Sequence, residues 1–323
     1  AKCRWTILFC WNHYRTMQSI KSTFRLQHNV AGRFFSSGAP NGRLILVSHG
    51  PSEWQKGDQS NTSVNRFTGW VNVPLAEKGR DRAHEIGNLL QSTYIDCAVT
   101  SQLGRARDTL DIILDNMGDT RDEIPVVETW RLNERHFGSL VGLSRVEAER
   151  IYGKETIDSF RHNYEAAPPP MDKNTVAKWE RQNHCKLVTS QKQDRDEKIL
   201  EIGRSWCNST EKMPLTESMK DCNRRMMPFW EKALEPRLKN GETVLVVSHN
   251  SILKVMLQNL DPVLKKDSFS QLKVPCAVPI MYTFDSEMNV IPEENTVGEG
   301  ICRELQGKWI DEPIVDDEEV DIA

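Results

Sequence analysis

Residues 43–50 read RLILVSHG, and residues 243–250 read TVLVVSHN. Each opens on a short unbroken run of apolar residues, Leu44–Val47 in the first and Val244–Val247 in the second. A continuous run of this length, as opposed to an alternating one, marks a strand covered on both faces, as in a parallel sheet. Each run stops at Ser-His, followed by Gly50 in one case and Asn250 in the other. In open α/β sheets ligands bind beyond the carboxyl ends of the strands. Histidines at two such ends, His49 and His249, are expected to face each other across one pocket.

Around these two strands the pattern alternates. Residues 94–101 and 124–130 read as further strands, and 271–285 as added edge strands. Residues 75–90 form an amphipathic helix with apolar positions at Ala83, Ile86, Leu89 and Leu90. Further helices are expected over 105–117 (stopped by Gly118), 143–152 (ended by Gly153), 216–238 and 251–260. This rhythm predicts an α/β fold: a three-layer sandwich with a mostly parallel sheet and helices on both faces. It breaks after Pro168-Pro169-Pro170, a stiff extended stretch. Residues 171–215 are polar and read as an insertion with some helix, expected over the C-terminal end of the sheet. One domain, 36–310, is expected to contain it.

At 323 residues, with 38% apolar and 27% charged side chains, the chain can bury a sizeable core. Collagenous, low-complexity and strongly disordered classes are excluded. The formal net charge of −4 is segmental. Residues 1–35 hold six basic residues and no acid, the first acid being Glu53. An acid-free segment mixing Arg, Ser and apolar residues has the composition of a mitochondrial transit peptide, with cleavage expected near Phe35 or Ser36. A mitochondrial, matrix-type location is therefore expected, with cytoplasm or plastid as alternatives. Residues 311–323 carry seven acids and no base, an acidic tail of the solvated kind. No apolar run is long enough for a transmembrane helix, and the charge balance gives no sign of nucleic-acid binding. The eight cysteines form no C-x-x-C pair, hence neither a zinc spacing nor a disulfide framework.

A third motif, Trp130-Arg131-Leu132-Asn133-Glu134-Arg135-His136, again follows a strand. It sets a carboxylate and guanidiniums at the same sheet edge. Arg105 follows the 94–101 strand and begins a helix, and helix N-termini and guanidiniums favour phosphate. Two histidines, a glutamate and several arginines point to phosphoryl chemistry with a histidine nucleophile. Arginines can neutralise the charge, so no metal is called for. A Walker-type glycine loop is absent.

These stretches resemble the cofactor-dependent phosphoglycerate mutases of the histidine phosphatase superfamily. The resemblance rests on LVSHGPSEWQ (46–55), RFTGWVNVPLAEKG (66–79), TSQLGRARDTL (100–110), WRLNERHFGSLVGL (130–143), FRHNYEAAPPPM (160–171), TESMKD (216–221) and VLVVSHNSILK (244–254). It implies that His49 carries the phosphoryl group and that 2,3-bisphosphoglycerate supplies it. It makes Glu134 the general acid and base, and His249 a hydrogen-bond donor to the transferring group. Arg105 would pair with that group, and Arg135, Arg161 and Arg145 with substrate phosphate or carboxylate. Ser52, Thr68 and Gly69 would line the pocket. The expected partner is a small phosphorylated substrate, with homo-oligomer formation or membership of a mitochondrial complex left open.

The departures concern the cationic cradle. The family has Arg before the nucleophile, where this chain has Ser48, a single neutral donor in place of a bidentate cation. Asn250 stands where the family has Gly, which implies a strained positive φ. Ser251, Lys254 and His162 replace Asn, Arg and Arg; Lys254 or Arg181 are candidate substitutes for the lost charge. Three readings stay open: an active, divergent mutase; a catalytically impaired mutase-like subunit of a mitochondrial assembly; and a histidine-type phosphatase.

Overall fold

The computed structural model describes residues 41–55, 65–118, 121–181, 214–264, 272, 274–294 and 304–311. The expected transit segment, the insertion after residue 181 and the tail after Asp311 lie outside the described residues.

Strand β1 is Gly42–Ser48, β2 Cys97–Thr100, β3 Val126–Glu128 and β4 Thr243–Ser248. Strands β5 (Ile280–Phe284), β6 (Val290–Ile291) and β7 (Lys308–Trp309) follow. The helices are α1 (Glu77–Leu90), α2 (Gly104–Asn116), α3 (Arg145–Tyr152), α4 (Lys154–His162), α5 (Lys173–Arg181), α6 (Met219–Phe229), α7 (Glu235–Lys239) and α8 (Asn250–Leu260). Sheet order is β3-β2-β4-β1-β5-β6, with β7 on β5. The four strands β1 to β4 are mutually parallel; β5 runs antiparallel to β1.

The alternation of strand side chains divides the core. Ile45, Val47, Leu245 and Val247 meet Ala83, Ile86 and Leu90 of α1 and Leu110 and Ile113 of α2. Leu44, Leu46, Val244 and Val246 meet Met226 of α6, Leu238 of α7 and Ile252 and Met256 of α8. Continuous apolar strands need both layers, which is why Leu44–Ser48 of β1 and the whole of β4 are buried. A third cluster, including Phe67, Trp70, Leu103, Trp130 and Phe137, is separate from both.

Several elements differ from the sequence expectation. Residues 94–101 and 124–130 yield shorter strands; the second ends because the Thr129 hydroxyl accepts the Arg131 N–H and starts a tight turn over Trp130–Leu132. The single helix expected over 216–238 is three pieces. Pro228 lies near the end of α6, the turn Trp230–Leu234 is a π-helix, and Pro236 opens α7. Proline lacks the N–H that a continuous α-helix would use. Helix α4 follows α3 directly, Gly153 at φ +86° ending the one and capping the start of the other. Leu89 lies off the buried stripe of α1 and is 42% exposed. Among the described residues of 271–285, only Ile280–Phe284 is a strand. The two ends of the expected insertion are tied together: Met171 N–H donates to the Leu215 carbonyl at 2.9 Å, and the Thr216 hydroxyl to the Pro168 carbonyl at 2.6 Å. Among the described residues no helix is long and apolar enough to cross a membrane.

The turn after β1 passes very close to α1. A Cβ at Gly79 would lie 2.2 Å from the Pro51 carbonyl oxygen. Ala is favoured over Gly inside a helix by about 1 kcal/mol, but overpacking against backbone costs about 1–3 kcal/mol. The clash should win, so Gly79→Ala is expected to lower unfolding free energy by roughly 1–2 kcal/mol in urea titration. A net gain would show that the turn carrying His49 yields freely.

Candidate active site

The parallel pairing of β1 with β4 sets Ser48 opposite Ser248. The next residue on each strand is therefore His49 and His249. Their rings stand edge to face with centroids 5.0 Å apart. This is the facing arrangement expected from the two repeated strand ends.

His49 is held at both ring nitrogens. Its Nδ1 lies 2.7 Å from the Gly50 carbonyl, and its Nε2 lies 3.1 Å from Arg105 Nε. A carbonyl can only accept and a guanidinium can only donate. Nδ1 therefore carries the hydrogen, and Nε2 presents its lone pair. Burial, reinforced by the Arg105 charge, pushes the His49 pKa down to about 3. The ring is therefore neutral, with its Nε2 lone pair free of a proton, at any ordinary pH.

Arg105 is the second residue of α2 and is almost fully buried. Besides His49, it donates from Nη1 to the Val71 carbonyl and from Nη2 to the Gly69 carbonyl, both at 3.0 Å. Gly69 sits at φ +50°, a turn that most side chains resist. Burial lowers the Arg105 pKa to about 10, against the pull of nearby Glu134, so it stays charged.

His249 is fully buried, and its Nε2 lies 2.7 Å from the Ser101 hydroxyl. Burial, then the Arg105 charge, holds its pKa well below the usual histidine range.

Glu134 comes from the turn after β3. Its Oε1 accepts the Arg135 N–H at 2.6 Å. Its carbonyl accepts the Trp70 indole N–H and Arg225 Nη2. The Ser248 hydroxyl donates to the Leu132 carbonyl at 2.9 Å, tying this turn to the end of β4. The larger anchor is Arg225 of α6, whose importance the sequence did not signal. It makes a two-point ion pair with Glu217, Nε to Oε1 at 2.7 Å and Nη2 to Oε2 at 2.9 Å. Its Nη1 also donates to the carbonyls of Trp130, Arg131 and Asn133. Glu217 Oε2 in turn accepts the His136 N–H.

The other expected ligands have varied fates. Arg135 is buried and donates to the carbonyls of Glu217, Phe160 and Ala166 at 2.7, 2.8 and 2.9 Å. It is a brace between segments before it is a substrate ligand. Arg145 pairs with Glu149 and Asp158, joining α3 to α4. Arg161 is half-buried near the end of α4; His162 is exposed and bonds the Asp158 carbonyl through Nδ1. The Ser52 hydroxyl donates to Gln55 Oε1, and the Thr68 hydroxyl to the Arg66 carbonyl. The Ser48 hydroxyl is buried with no hydrogen-bond partner among the described residues. Asn250 is not strained: it is the first residue of α8, and its amide donates to the Val274 carbonyl at 2.8 Å. Among the described non-glycine residues, only Ala277 and Met288 have positive φ. Ser251 is buried in the same helix. Among the described residues no cluster of three metal-ligating side chains occurs.

Comparison with known proteins agrees with this geometry. The chain matches the histidine phosphatase superfamily (branch 1) over residues 44–200 and 185–292. It belongs to that superfamily. A 2,3-bisphosphoglycerate-dependent phosphoglycerate mutase from Hamiltonella defensa is 34% identical over 77% of this chain and 89% of its own. One from Corynebacterium jeikeium is 36% identical over 78% and 87%. Among solved structures, a mycobacterial glucosyl-3-phosphoglycerate phosphatase superposes with TM-score 0.51 at 19% identity, covering 75% of this chain and 92% of that one. A Bacillus stearothermophilus protein, YhfR, does so with TM-score 0.51 at 21% identity, covering 77% and 94%. The relatives place the chain in the mutase/phosphatase class of that superfamily.

The buried histidines couple stability to pH. His49 binds its proton near pH 6.5 when unfolded but only near pH 3 when folded. Between those values the unfolded chain holds more protons, so stability is fully present above about pH 6.5 and falls on acidification. From pH 7 to pH 5 this one group should cost about 2 kcal/mol. Urea unfolding should show that loss shrinking by a comparable amount in His49→Asn. An identical loss in the variant would mean that His49 is not buried neutral.

Proposed function

We propose that this chain is an active, divergent phosphoglycerate mutase that interconverts 3- and 2-phosphoglycerate through a phosphohistidine on His49. The observation that carries the reading is the His49 Nε2 lone pair, kept unprotonated and aligned by Arg105, with the His249 ring edge beside it. The mutase names of relatives at about 35% identity support it further.

In this reading His49 Nε2 attacks phosphorus while the bond to the departing oxygen breaks. Arg105 and His249 meet the charge on the phosphoryl oxygens, which is where phosphoryl transfer is mainly stabilised. Glu134 Oε1 is fixed by the Arg135 N–H, which leaves Oε2 to give a proton to the departing oxygen and take one from the accepting hydroxyl. The residues fit 2,3-bisphosphoglycerate at its phosphoryl end: His49, Arg105 and His249 would hold that phosphate. When bound, the compound supplies the phosphoryl group that primes His49. Ser48 contributes a hydroxyl, not a guanidinium, beside that position. Loss of one such contact typically slows the chemical step by about 10²–10³, which predicts a slow enzyme.

Full-length protein treated with 2,3-bisphosphoglycerate should gain an acid-labile phosphoryl group on His49, absent in His49→Ala, and should equilibrate the two monophosphoglycerates. Labelling with hydrolysis but no isomerisation would favour a phosphatase, and no labelling at all a non-catalytic subunit. Ser48→Arg should raise turnover at least tenfold if the missing guanidinium is what limits it; an unchanged rate in a folded variant would sink that explanation.

Residues 1–35, basic and acid-free, would carry the protein into a mitochondrial matrix. Fused to a fluorescent reporter they should direct it there, and a diffuse cytoplasmic signal would refute the assignment.

A further inference from the structure

The two active-site histidines differ in how their ring hydrogens are placed. The tautomer of His49 is dictated by partners that can each play only one role. His249 has a partner that can play either. The Ser101 hydroxyl, 2.7 Å from Nε2, can donate to that nitrogen or accept from it. Ser101 also accepts the Leu103 backbone N–H at 3.2 Å. At the other side of the His249 ring, Nδ1 is buried with no hydrogen-bond partner among the described residues.

Two arrangements are available. In the first, the Ser101 hydroxyl donates to the Nε2 lone pair, and the ring hydrogen sits on Nδ1. Every capacity used at Ser101 is then matched, and a single group, Nδ1–H, is unpaired. In the second, Nε2–H donates to the hydroxyl oxygen, which already accepts from Leu103. The Ser101 hydrogen and the Nδ1 lone pair are then both unpaired, in two side chains with 0% exposure. Each buried polar group left unmatched carries a desolvation cost, so the first arrangement is preferred. Its one unmatched group is a donor, the kind an anion satisfies; the second would offer a lone pair, which repels one.

We infer that Ser101 is a positioning residue that holds His249 as the Nδ1–H tautomer, so that a neutral ring offers an N–H to an anionic group beside His49. The backbone brings it within reach: Thr100 at the end of β2 pairs with Val247 of β4, so Ser101 leaves the sheet one residue short of the level of His249, and its hydroxyl closes the gap. The catalytic role rests on the phosphoryl-transfer reading, whereas the tautomer does not.

The test uses full-length protein with 15N-labelled histidine rings. Two-bond proton–nitrogen correlation should place His249 Nδ1 in the N–H range and Nε2 in the lone-pair range. Inorganic phosphate should shift the Nδ1 resonance. In Ser101→Ala the ring should move toward the Nε2–H form, and phosphohistidine formation should slow at least tenfold; Ser101→Thr should recover most of it. A wild-type ring protonated on Nε2 overturns the assignment whether or not the variants fold. So does a folded Ser101→Ala with wild-type tautomer and rate. An Nδ1–H ring in a protein that never forms phosphohistidine supports the tautomer and refutes the phosphoryl-transfer reading, which keeps the two failures apart.

Discussion

The in-register parallel pairing of β1 with β4 is the constraint on which the site depends. Because Ser48 lies opposite Ser248, a single set of ladder hydrogen bonds decides that two imidazoles 200 positions apart in sequence meet edge to face. A slip of one residue would turn every apolar side chain of the strand to the wrong layer. The two helical layers therefore enforce the register, and the register places the histidines. Precision at the site follows from hydrophobic packing far larger than the site.

The second carboxyl-end element needs a different support, since the turn carrying Glu134 is not a strand and has no ladder. Its carbonyls are gathered by Arg225, and Arg225 is neutralised by Glu217. A buried ion pair of this kind is weak evidence for net stability, because desolvating two charges offsets most of their attraction. Its worth is geometric: one planar group with five N–H donors fixes four carbonyls of an otherwise irregular segment. Arg135 does the same in the opposite direction, bracing the turn against α4 and the segment before α6.

Much of this was legible in the sequence. RLILVSHG and TVLVVSHN disclose the sheet because residues covered on both sides leave an unbroken apolar trace, and Arg105 is visible as a cation opening a helix after a strand. The structural role of Arg225 was not, because within NRRMM it reads like any solvated helix charge. Ser101 was silent for a related reason: a hydroxyl has no composition signal, and its partner lies 148 residues away. Arg135 and Arg145 show the converse limit. Motif matching puts them near a substrate, but a guanidinium's use is decided by which carbonyls and carboxylates the fold brings to it. The division of 216–238 at Pro228 and Pro236 was written in the sequence; apolar periodicity alone overrode it.

The tie between the residues flanking 172–214 has a consequence for how this domain can change. Met171 and Leu215, and Pro168 and Thr216, are fastened to each other by the domain itself. With its two ends tied to each other, the length of the chain between them is nearly free. Doubling such a loop costs only about 0.6 kcal/mol in closure entropy. The architecture can thus accept, enlarge or lose material at this point without shifting Glu217, two residues beyond Leu215, or the turn that Glu217 holds.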